Sequence, residues 1–521
     1  MDDIFITADT ARIVVPWQAD LASLIPHARE FHYGGARRLL IPNEHAEAKL
    51  CRNLGVAVPS PILTRYQWPG HRPPWDIQRT TAALLTESPR AYVLSTMGTG
   101  KTSAVIYALD YLVAAGEVRK VLIAAPLSTL TPVWESELFT VVPRRKSLVL
   151  YGTKDKRKKL LETDAVFYVI NHHGLDLLRP ELIARGFDAV VLDELAVFRN
   201  KSTSLWKAAD AIVRAPGVKF VWGMTGSPTP SAPTDAWAQV RLLTPERTER
   251  SMAMFQDRTM RRLTQFKWVA RREANEVVHA AMQPSVRYTR DDVMELPETS
   301  YVDREVKLGP EAARAYKLMF DKLRMITMGG ESITAVNEGV LQNKLLQVAC
   351  GYIYTDKHTV HELPSLSRIQ ALDEVISETD RNVIVFVPYL HALSGIAAHL
   401  RKAGRRVGVV SGATSRTARD RIFAGFQGGG LLDTLVAHPQ TMAHGLTLTD
   451  ANTIVWYAPT QSLEIYEQAN ARITRPGQTS KTLIAHLFAT PIEKMTYQRL
   501  RAKGRMQGLL LEMFKQQQLE F

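Results

Sequence analysis

A short run of glycine, lysine and threonine carries the clearest chemical signal in the sequence. Residues 92–102 read YVLSTMGTGKT, an apolar stretch followed by a turn that ends in Gly100, Lys101 and Thr102. Glycines let backbone N–H groups approach phosphate oxygens, a lysine reaches the β and γ phosphates, and a threonine hydroxyl ligates Mg²⁺. Ser95 stands where the usual pattern has its first glycine. The pattern predicts an ATP-binding loop formed by Met97, Gly98, Thr99, Gly100, Lys101 and Thr102.

An acidic pair follows another apolar stretch further along the chain. The segment AVVLDE places Asp193 and Glu194 at the end of a predicted strand. In such a position an aspartate holds Mg²⁺, and the adjacent glutamate orients and deprotonates the attacking water. We therefore predict that Asp193 is a metal ligand together with Thr102, and that Glu194 is the general base. A solvated acidic turn is the alternative interpretation.

Two arginines near the end of the chain could complete such a site. The segment QANARITRPGQ places Arg472 and Arg475 three residues apart. That spacing is close to one helical turn, so both guanidinium groups could point from one helix face into a cleft. We predict that they stabilise negative charge during ATP hydrolysis, with a surface RxxR pair as the alternative.

The overall charge favours a polyanionic partner. The 521 residues carry a formal net charge of +13. The excess lies downstream, because residues 1–70 hold 7 Lys/Arg and 7 Asp/Glu, whereas residues 241–290 hold 11 basic and 5 acidic residues. Neutralising phosphates releases counterions and gives affinity that does not depend on base sequence.

Composition also bears on location. No apolar run approaches the roughly 20 residues that span a bilayer, and the N-terminus MDDIFITADT is acidic, unlike a signal peptide. Cys51 and Cys350 are too few for a disulfide framework or a cysteine zinc site. We expect an intracellular, cytoplasmic protein without a membrane partner.

Several segments, taken in their order along the chain, resemble the motifs of superfamily two motors, specifically the Swi/Snf-like DNA translocases. The resemblance covers about residues 70–490. The resemblance implies ATP and Mg²⁺ as cofactors, an adenine contact by Gln78, and a nucleotide contact by Gln468. It also implies nucleic-acid or coupling roles in the segments APLSTLTPVWESE, TGSP, VSGATSRTARDR and AHGLTLTDANTIVWYAP, which contain Ser128, Trp134, Thr225, Ser227, Ser411, Gly412, His444 and Gly445.

One departure from the family pattern concerns the acidic pair. The family has DEAH, whereas this chain has Asp-Glu-Leu-Ala, so Leu195 and Ala196 remove the histidine that links this motif to its neighbours. Of this motif, hydrolysis needs only Asp193 and Glu194. Which residues couple ATP hydrolysis to the nucleic acid is left open.

The alternation of apolar runs and helical stretches predicts an α/β fold with parallel sheets. With the resemblance, we expect two RecA-like parallel-sheet lobes with a helical basic segment between them and a small α+β N-terminal module. The expected boundaries are 1–67 for the module, 68–240 for lobe 1, 241–361 for the linking segment and 362–521 for lobe 2.

The module bears a weaker likeness to the HARP module of annealing helicases. Residues 11–54 are predicted to form a strand, a helix, a second strand and a second helix. The features that match the HARP module are the segments RIVVPW, PHAREF and RRLLIP. The likeness implies an accessory element that favours forks or junctions between single and double strands. A plain packing module that stiffens lobe 1 is the alternative.

Basic and aromatic residues in the middle segment suggest a nucleic-acid surface. RTMRRLTQFKWVARR is predicted to place Arg258, Arg261 and Arg262 on one helical face, which could follow a duplex backbone. Phe266 and Trp268 are interpreted as packing residues. KDKRKK (residues 154–159) is either a solvated face or a DNA contact. The neighbouring histidines His172 and His173, in the segment VINHHGLD, are expected to cap a strand.

These observations predict an ATP-dependent DNA translocase or helicase that moves along duplex or forked DNA. The alternatives are a strand-separating helicase, the motor of a helicase working with a separate nuclease or replication partner, an RNA-directed ATPase, and a non-catalytic nucleotide-switched clamp.

Overall fold

The structure is a computed structural model. It describes residues 4–263, 268–289, 292, 297–328, 343–354, 360–363, 365–428, 430–442, 447–475 and 477–502.

The N-terminal residues form a four-stranded antiparallel sheet in the order β1-β2-β4-β3. Two helices cover one face, where Ile13, Val15, Leu21, Ile41 and Cys51 are buried together. Strand β3 lies in a region that the sequence did not predict as a strand. The elements are β1 (Phe5–Ile6), β2 (Arg12–Pro16), α1 (Ala19–Leu24), β3 (Arg29–Tyr33), β4 (Ala36–Pro42), α2 (His45–Asn53) and α3 (Pro61–Arg65).

The next part of the chain forms a seven-stranded parallel sheet in the order β13-β5-β10-β9-β6-β8-β7. Its elements are α4 (Asp76–Glu87), β5 (Arg90–Val93), α5 (Lys101–Ala114), β6 (Val121–Ala125), α6 (Ser136–Val141), β7 (Ser147–Leu150), α7 (Lys154–Glu162), β8 (Phe167–Asn171), α8 (His172–Leu177), α9 (Arg179–Arg185), β9 (Ala189–Asp193), α10 (Ser204–Val213), β10 (Phe220–Met224), α11 (Asp235–Leu243), α12 (Met252–Thr259), β11 (Met260–Arg262), β12 (Trp268–Ala270), α13 (Ala274–Ala281) and β13 (Ser285–Val286).

The central strands of this sheet are apolar on both faces, as expected for a parallel sheet between two layers of helices. Successive residues of one strand enter different cores: Leu122 packs with Tyr168 and Leu192 on one face, and Ile123 packs with Val191 on the other. The sheet therefore fixes the loops at the carboxyl ends of β5, β6 and β9, which carry the predicted ATP site.

The second parallel sheet has six strands in the order β14-β21-β20-β17-β19-β18. Its lobe contains β14 (Thr299–Glu305), α14 (Pro310–Met328), α15 (343–349), β15 (Tyr352–Tyr354), β16 (Val360–Glu362), α16 (Leu366–Ser377), β17 (Asn382–Phe386), α17 (Leu390–Lys402), β18 (Val407–Val410), α18 (Arg416–Phe426), β19 (Thr434–Ala437), β20 (Ala451–Trp456), α19 (Leu463–Asn470), β21 (Thr482–Phe488) and α20 (491–502).

These two sheets confirm the predicted fold class of two RecA-like parallel-sheet lobes. The middle segment differs from its predicted helical character, because β13 belongs to the first sheet and β14 to the second. Both strands gain their hydrogen bonds from distant parts of the chain, which a local sequence pattern does not reveal. Among the described residues, no helix is long and apolar enough to cross a membrane.

Candidate ATP site

The predicted phosphate loop connects β5 to α5. Gly98 and Gly100 have φ values of +88° and +71°, which favour glycine. A Cβ atom on Gly100 would lie 2.2 Å from Nε2 of Gln78, so a larger residue does not fit. Helix α5 begins at Lys101 and therefore directs the N–H groups of its first turn toward the loop. The loop has the shape that phosphate binding requires.

Lys101 and Ser95 hold the loop from opposite sides. The Lys101 ammonium group donates to the carbonyl oxygens of Ser95 (2.6 Å) and Thr96 (3.0 Å). The Ser95 hydroxyl accepts from the backbone N–H of Tyr288 (2.9 Å), and the N–H of Thr96 donates to the Tyr288 carbonyl (2.9 Å). Ser95, at the place of the usual first glycine, thus ties the loop to the chain segment that leaves the first sheet.

Gln78 fixes the start of helix α4 and contacts the phosphate loop. Its Oε1 accepts from the N–H of Trp75 (2.9 Å), as a glutamine at the third helical position does in a capping box. Its Nε2 donates to the carbonyl of Gly100 (3.3 Å). Gln78 is buried, whereas Trp75 is half-exposed and lines the cavity above the loop. The sequence did not single out Trp75.

Asp193 lies at the end of β9 and is held by two buried side chains. The Trp134 indole N–H donates to Asp193 Oδ2 (2.8 Å). His172 Nε2 lies 2.7 Å from the Asp193 carbonyl, and burial lowers the pKa of His172 to about 4. The neutral ring therefore carries its proton on Nε2 and donates it to that carbonyl. His172 supports the acidic pair, as its predicted position at the end of a strand allows.

Glu194 has a backbone conformation that is uncommon for a residue with a side chain. Its φ is +54°, in the left-handed region. Its Oε1 accepts from the Thr225 hydroxyl (3.1 Å). Burial, followed by the negative charges of Glu464 and Asp193, raises the pKa of Glu194, while Lys101 and Thr225 act in the opposite direction. Such an environment makes a carboxylate a better proton acceptor than in water.

Residues from both lobes line one cavity of about 310 Å³ above the phosphate loop. The first lobe supplies the loop and the acidic pair, and the second lobe supplies Arg475. The lining residues include Trp75, Met97, Gly98, Gly100, Lys101, Thr102, Ser103, Thr129, Glu137, Asp193, Glu194, Thr225 and Arg475. The structure thus places the predicted phosphate-binding loop, two carboxylates and an arginine around one space.

The two predicted arginines are not equivalent. Helix α19 ends at Asn470, so the expectation that both project from one helix face is wrong. Arg472 has no exposed surface, and its N–H and carbonyl are bonded to the Ala469 carbonyl and the Leu448 N–H. Arg475 is half-buried, with its Nε donating to the Ala471 carbonyl (3.0 Å). Only Arg475 of the pair lines the cavity.

Sequence comparison identifies the family. A profile of the SNF2-related domain matches residues 88–352, just over half of the chain. This chain belongs to the SNF2-related family. A profile of the helicase conserved C-terminal domain matches residues 367–477. The predicted membership of the Swi/Snf-like group is confirmed, and with it the prediction of a nucleic-acid-dependent ATPase.

The SNF2 relatives differ greatly in length. Putative protein p41 of Acyrthosiphon pisum secondary endosymbiont phage 1 is 27% identical over 459 residues, which cover 83% of this chain and 96% of that protein. Chromatin structure-remodeling complex protein SYD of Arabidopsis thaliana is 23% identical over 429 residues, which cover 74% of this chain and 12% of that protein. The solved Sulfolobus solfataricus SWI2/SNF2 ATPase core in complex with dsDNA is 19% identical with a TM-score of 0.42, over 86% of this chain and 96% of that chain.

The remaining predicted residues of the SNF2 motor lie in varied surroundings. Trp134 is fully buried against Asp193, so its ring does not face a nucleic acid. Ser128 lies half-buried in the turn after β6, and Gly412 is exposed in the turn after β18, next to the half-buried Ser411. Gln468 is buried, and its Nε2 donates to Glu464 (3.4 Å). His444, Gly445 and Phe266 lie outside the described residues.

The predicted helical stripe of arginines is wrong. Helix α12 ends at Thr259, and Arg261 and Arg262 lie in β11, which pairs with β12 in an antiparallel ribbon. Successive residues of a strand point to opposite sides, so the three side chains do not form one helical row. Arg258 forms an ion pair with Glu249, and all three arginines are exposed.

The basic residues at 154–159 differ in their surroundings. Arg157 is buried, where Nη1 donates to Asn171 (2.7 Å) and Nε donates to the Gly152 carbonyl (2.8 Å). Lys158 forms an ion pair with Glu181 (2.6 Å). Lys154, Lys156 and Lys159 are exposed. The run thus combines a structural arginine with a solvated surface.

Proposed function

We propose that this SNF2-family chain is an ATP-driven translocase that moves along duplex or forked DNA largely without regard to base sequence. The observation that carries the proposal is the cavity shared by the two lobes, in which Lys101, Asp193 and Glu194 meet Arg475. A site completed by both lobes couples the state of the nucleotide to the relative position of the lobes.

The residues present fit ATP with Mg²⁺. The loop has Gly100 where a Cβ would clash, and the Lys101 ammonium group binds the carbonyl oxygens of Ser95 and Thr96 in the same loop. Thr102 and Asp193 both line the cavity and would hold Mg²⁺, which neutralises phosphate charge when bound. Trp134 orients the Asp193 carboxylate for this role.

Glu194 and Arg475 supply the catalytic groups in this proposal. Glu194 accepts a proton from the attacking water, because its raised pKa favours proton uptake. Arg475 approaches the transferred phosphoryl group from the second lobe and stabilises its charge. Because Arg475 and Glu194 belong to different lobes, hydrolysis requires closure, and each cycle of closure and opening shifts the grip of the lobes on the DNA backbone.

The choice of DNA as partner rests on charge and on the family. The net charge of +13 favours a phosphate backbone. Relatives in the family include ATP-dependent helicase BRM and chromatin structure-remodeling complex protein SYD, both of Arabidopsis thaliana. Contacts to backbone phosphates position a protein without reading base sequence, which suits a motor that moves along any duplex.

The rate of ATP hydrolysis with different nucleic acids tests the proposed partner. We expect duplex DNA and a forked junction to raise the rate of the wild-type chain at least about tenfold over the rate without nucleic acid, since closure is the step that DNA promotes. Single strands and a matched RNA duplex serve as controls. Stimulation by single strands alone would favour a conventional helicase, stimulation by RNA alone would favour an RNA-directed ATPase, and no hydrolysis would favour a nucleotide-switched clamp.

We propose that the N-terminal module directs the motor to forks. Arg52 in α2 forms an ion pair with Glu87 in α4 (2.8 Å), so the module is fastened to the first lobe. Tyr33 and Phe5 form an exposed aromatic pair with ring centroids 5.3 Å apart. In the same assay, a chain without residues 1–58 should keep stimulation by duplex DNA and lose any additional stimulation by the fork. Retained fork preference would support a plain packing module.

A further inference from the structure

A chain of hydrogen bonds crosses the cleft from the predicted general base to the second lobe. The Ser227 N–H donates to Thr225 Oγ1 (3.1 Å), so the single hydroxyl proton of Thr225 goes to Glu194 Oε1 (3.1 Å). The Ser227 hydroxyl donates to Glu467 Oε2 (3.1 Å) in helix α19. The bonds diverge from Ser227, whose N–H points toward Thr225 and Glu194 in the first lobe and whose hydroxyl points toward Glu467 in the second.

This chain of bonds is protected from solvent. Thr225 is buried, and its N–H donates to the carbonyl of Val93 (3.1 Å), so its position is fixed by the first sheet. Ser227 and Glu467 are half-buried. A hydrogen bond to a charged group in such surroundings is stronger than one in water. A displacement of α19 therefore acts first on Ser227, whose N–H orients the hydroxyl of the fixed Thr225.

The two residues that directly follow Glu194 carry no polar side chain toward the second lobe. Leu195 and Ala196 are fully buried and carry no side-chain donor or acceptor. Leu195 packs over Gly223, where an added Cβ would lie 2.6 Å from Leu195 Cδ2. The place of the family histidine is thus part of the apolar core of the first lobe.

Helix α19 carries Glu467 and leads directly to Arg475. The Ala471 N–H donates to the Glu467 carbonyl (2.9 Å), and Arg475 Nε donates to the Ala471 carbonyl (3.0 Å). These bonds join Glu467 and Arg475 through one short stretch of backbone. Any movement that brings Arg475 to the cavity also brings Glu467 to Ser227.

We propose that Ser227 and Glu467 are positioning residues that hold Glu194 in its catalytic orientation only when the lobes are closed, in place of a route through a motif II histidine. The inference rests on the proposed function, because it assigns the coupling between ATP hydrolysis and lobe closure. Opening of the cleft removes Glu467 as the acceptor of the Ser227 hydroxyl, so Ser227 is free to shift and its N–H no longer holds the Thr225 hydroxyl toward Glu194.

Variants of the two residues test this inference through the kinetics of ATP hydrolysis. We expect Ser227→Ala and Glu467→Leu each to lower kcat about tenfold, as the loss of a hydrogen bond to a charged group implies, with KM for ATP within about twofold. Ser227→Thr and Glu467→Gln keep a hydroxyl donor and an oxygen acceptor, so both should stay within about threefold of wild type. The double variant Ser227→Ala/Glu467→Leu should be no slower than either single variant, because both remove the same bond.

Arg199→Ala is the matched control for a general loss of lobe contacts. Arg199 reaches across the cleft to Glu464 (3.5 Å) but does not contact Thr225, so this variant should keep kcat within about twofold. Wild-type kcat in Ser227→Ala, or multiplied losses in the double variant, would overturn the inference. All rates are measured with and without duplex DNA. If DNA does not stimulate the wild type, the proposed function fails, while the DNA-free rates still decide whether the bonds position Glu194.

Discussion

Replacing Arg475 with alanine is expected to lower the DNA-stimulated rate of ATP hydrolysis by about 10³-fold or more, the scale on which arginine fingers act. Arg475 is the residue of the QANARITRPGQ segment that lines the cavity from the second lobe. In the proposed mechanism Arg475 stabilises charge only in the closed state, so the loss should appear mainly in kcat. Steady-state hydrolysis at saturating duplex DNA measures it, with DNA affinity followed by fluorescence anisotropy.

Arg472→Ala provides the contrast for this prediction. Arg472 is fully buried, so its replacement leaves a cavity and should cost about 2–5 kcal/mol of stability, which an apparent Tm detects. Arg475→Ala should leave the apparent Tm within a few degrees of wild type. Hydrolysis by Arg475→Ala at a rate near wild type would show that the second lobe does not complete the site.

Replacing Glu194 with glutamine is expected to lower kcat by about 10²- to 10⁴-fold and to leave ATP binding intact. Glutamine keeps an oxygen that accepts from the Thr225 hydroxyl, so the side chain should stay in place while losing its basicity. Single-turnover hydrolysis measures the chemical step, and titration with a fluorescent ATP analogue measures binding.

The exposed Glu135 in the turn before α6 offers a matched control. Glu135→Gln makes the same chemical change outside the cavity and should keep the wild-type rate. If Glu194→Gln hydrolysed ATP at the rate of Glu135→Gln, the assignment of the general base would be incorrect. Loss of nucleotide binding together with hydrolysis would also contradict the assigned role.

Residues that lie close together in the chain were predicted well. The geometry of the phosphate loop follows from glycines at Gly98 and Gly100 and from the helix that begins at Lys101. Asp193 ends the apolar strand β9 and Glu194 follows it. Because a parallel sheet presents the carboxyl ends of its strands at one edge, the pair lies at the same edge as the phosphate loop. In both cases a few neighbouring residues determine the local conformation, and the parallel sheet brings the two segments to one edge.

Features that depend on distant contacts were not predicted. The ribbon of β11 and β12 and the sheet strands β13 and β14 lie in a segment that reads as helical, yet β13 pairs with β5 and β14 pairs with β21. The end of α19 before Arg472 is stabilised by bonds to the chain near Leu448. A period of three or four residues carries no information on such pairings.

The contact between Ser227 and Glu467 shows the same limit within the site. The two residues are 240 positions apart, and although the sequence predicts a coupling role for Ser227, it does not identify Glu467 as its partner. Trp75 is similar, because only the fold places its ring over the phosphate loop. The sequence identifies the candidate phosphate-binding groups, whereas the residues that position them become visible only in the folded chain.

Displacement of a triplex-forming strand from duplex DNA tests the central claim, ATP-driven movement along a duplex, most directly. We predict that the wild-type chain displaces a third strand placed ahead of it in an ATP-dependent manner while the underlying duplex stays paired, and that Glu194→Gln does not displace it. ATP hydrolysis stimulated by DNA without displacement of the third strand, or separation of the duplex itself, would contradict a double-strand translocase.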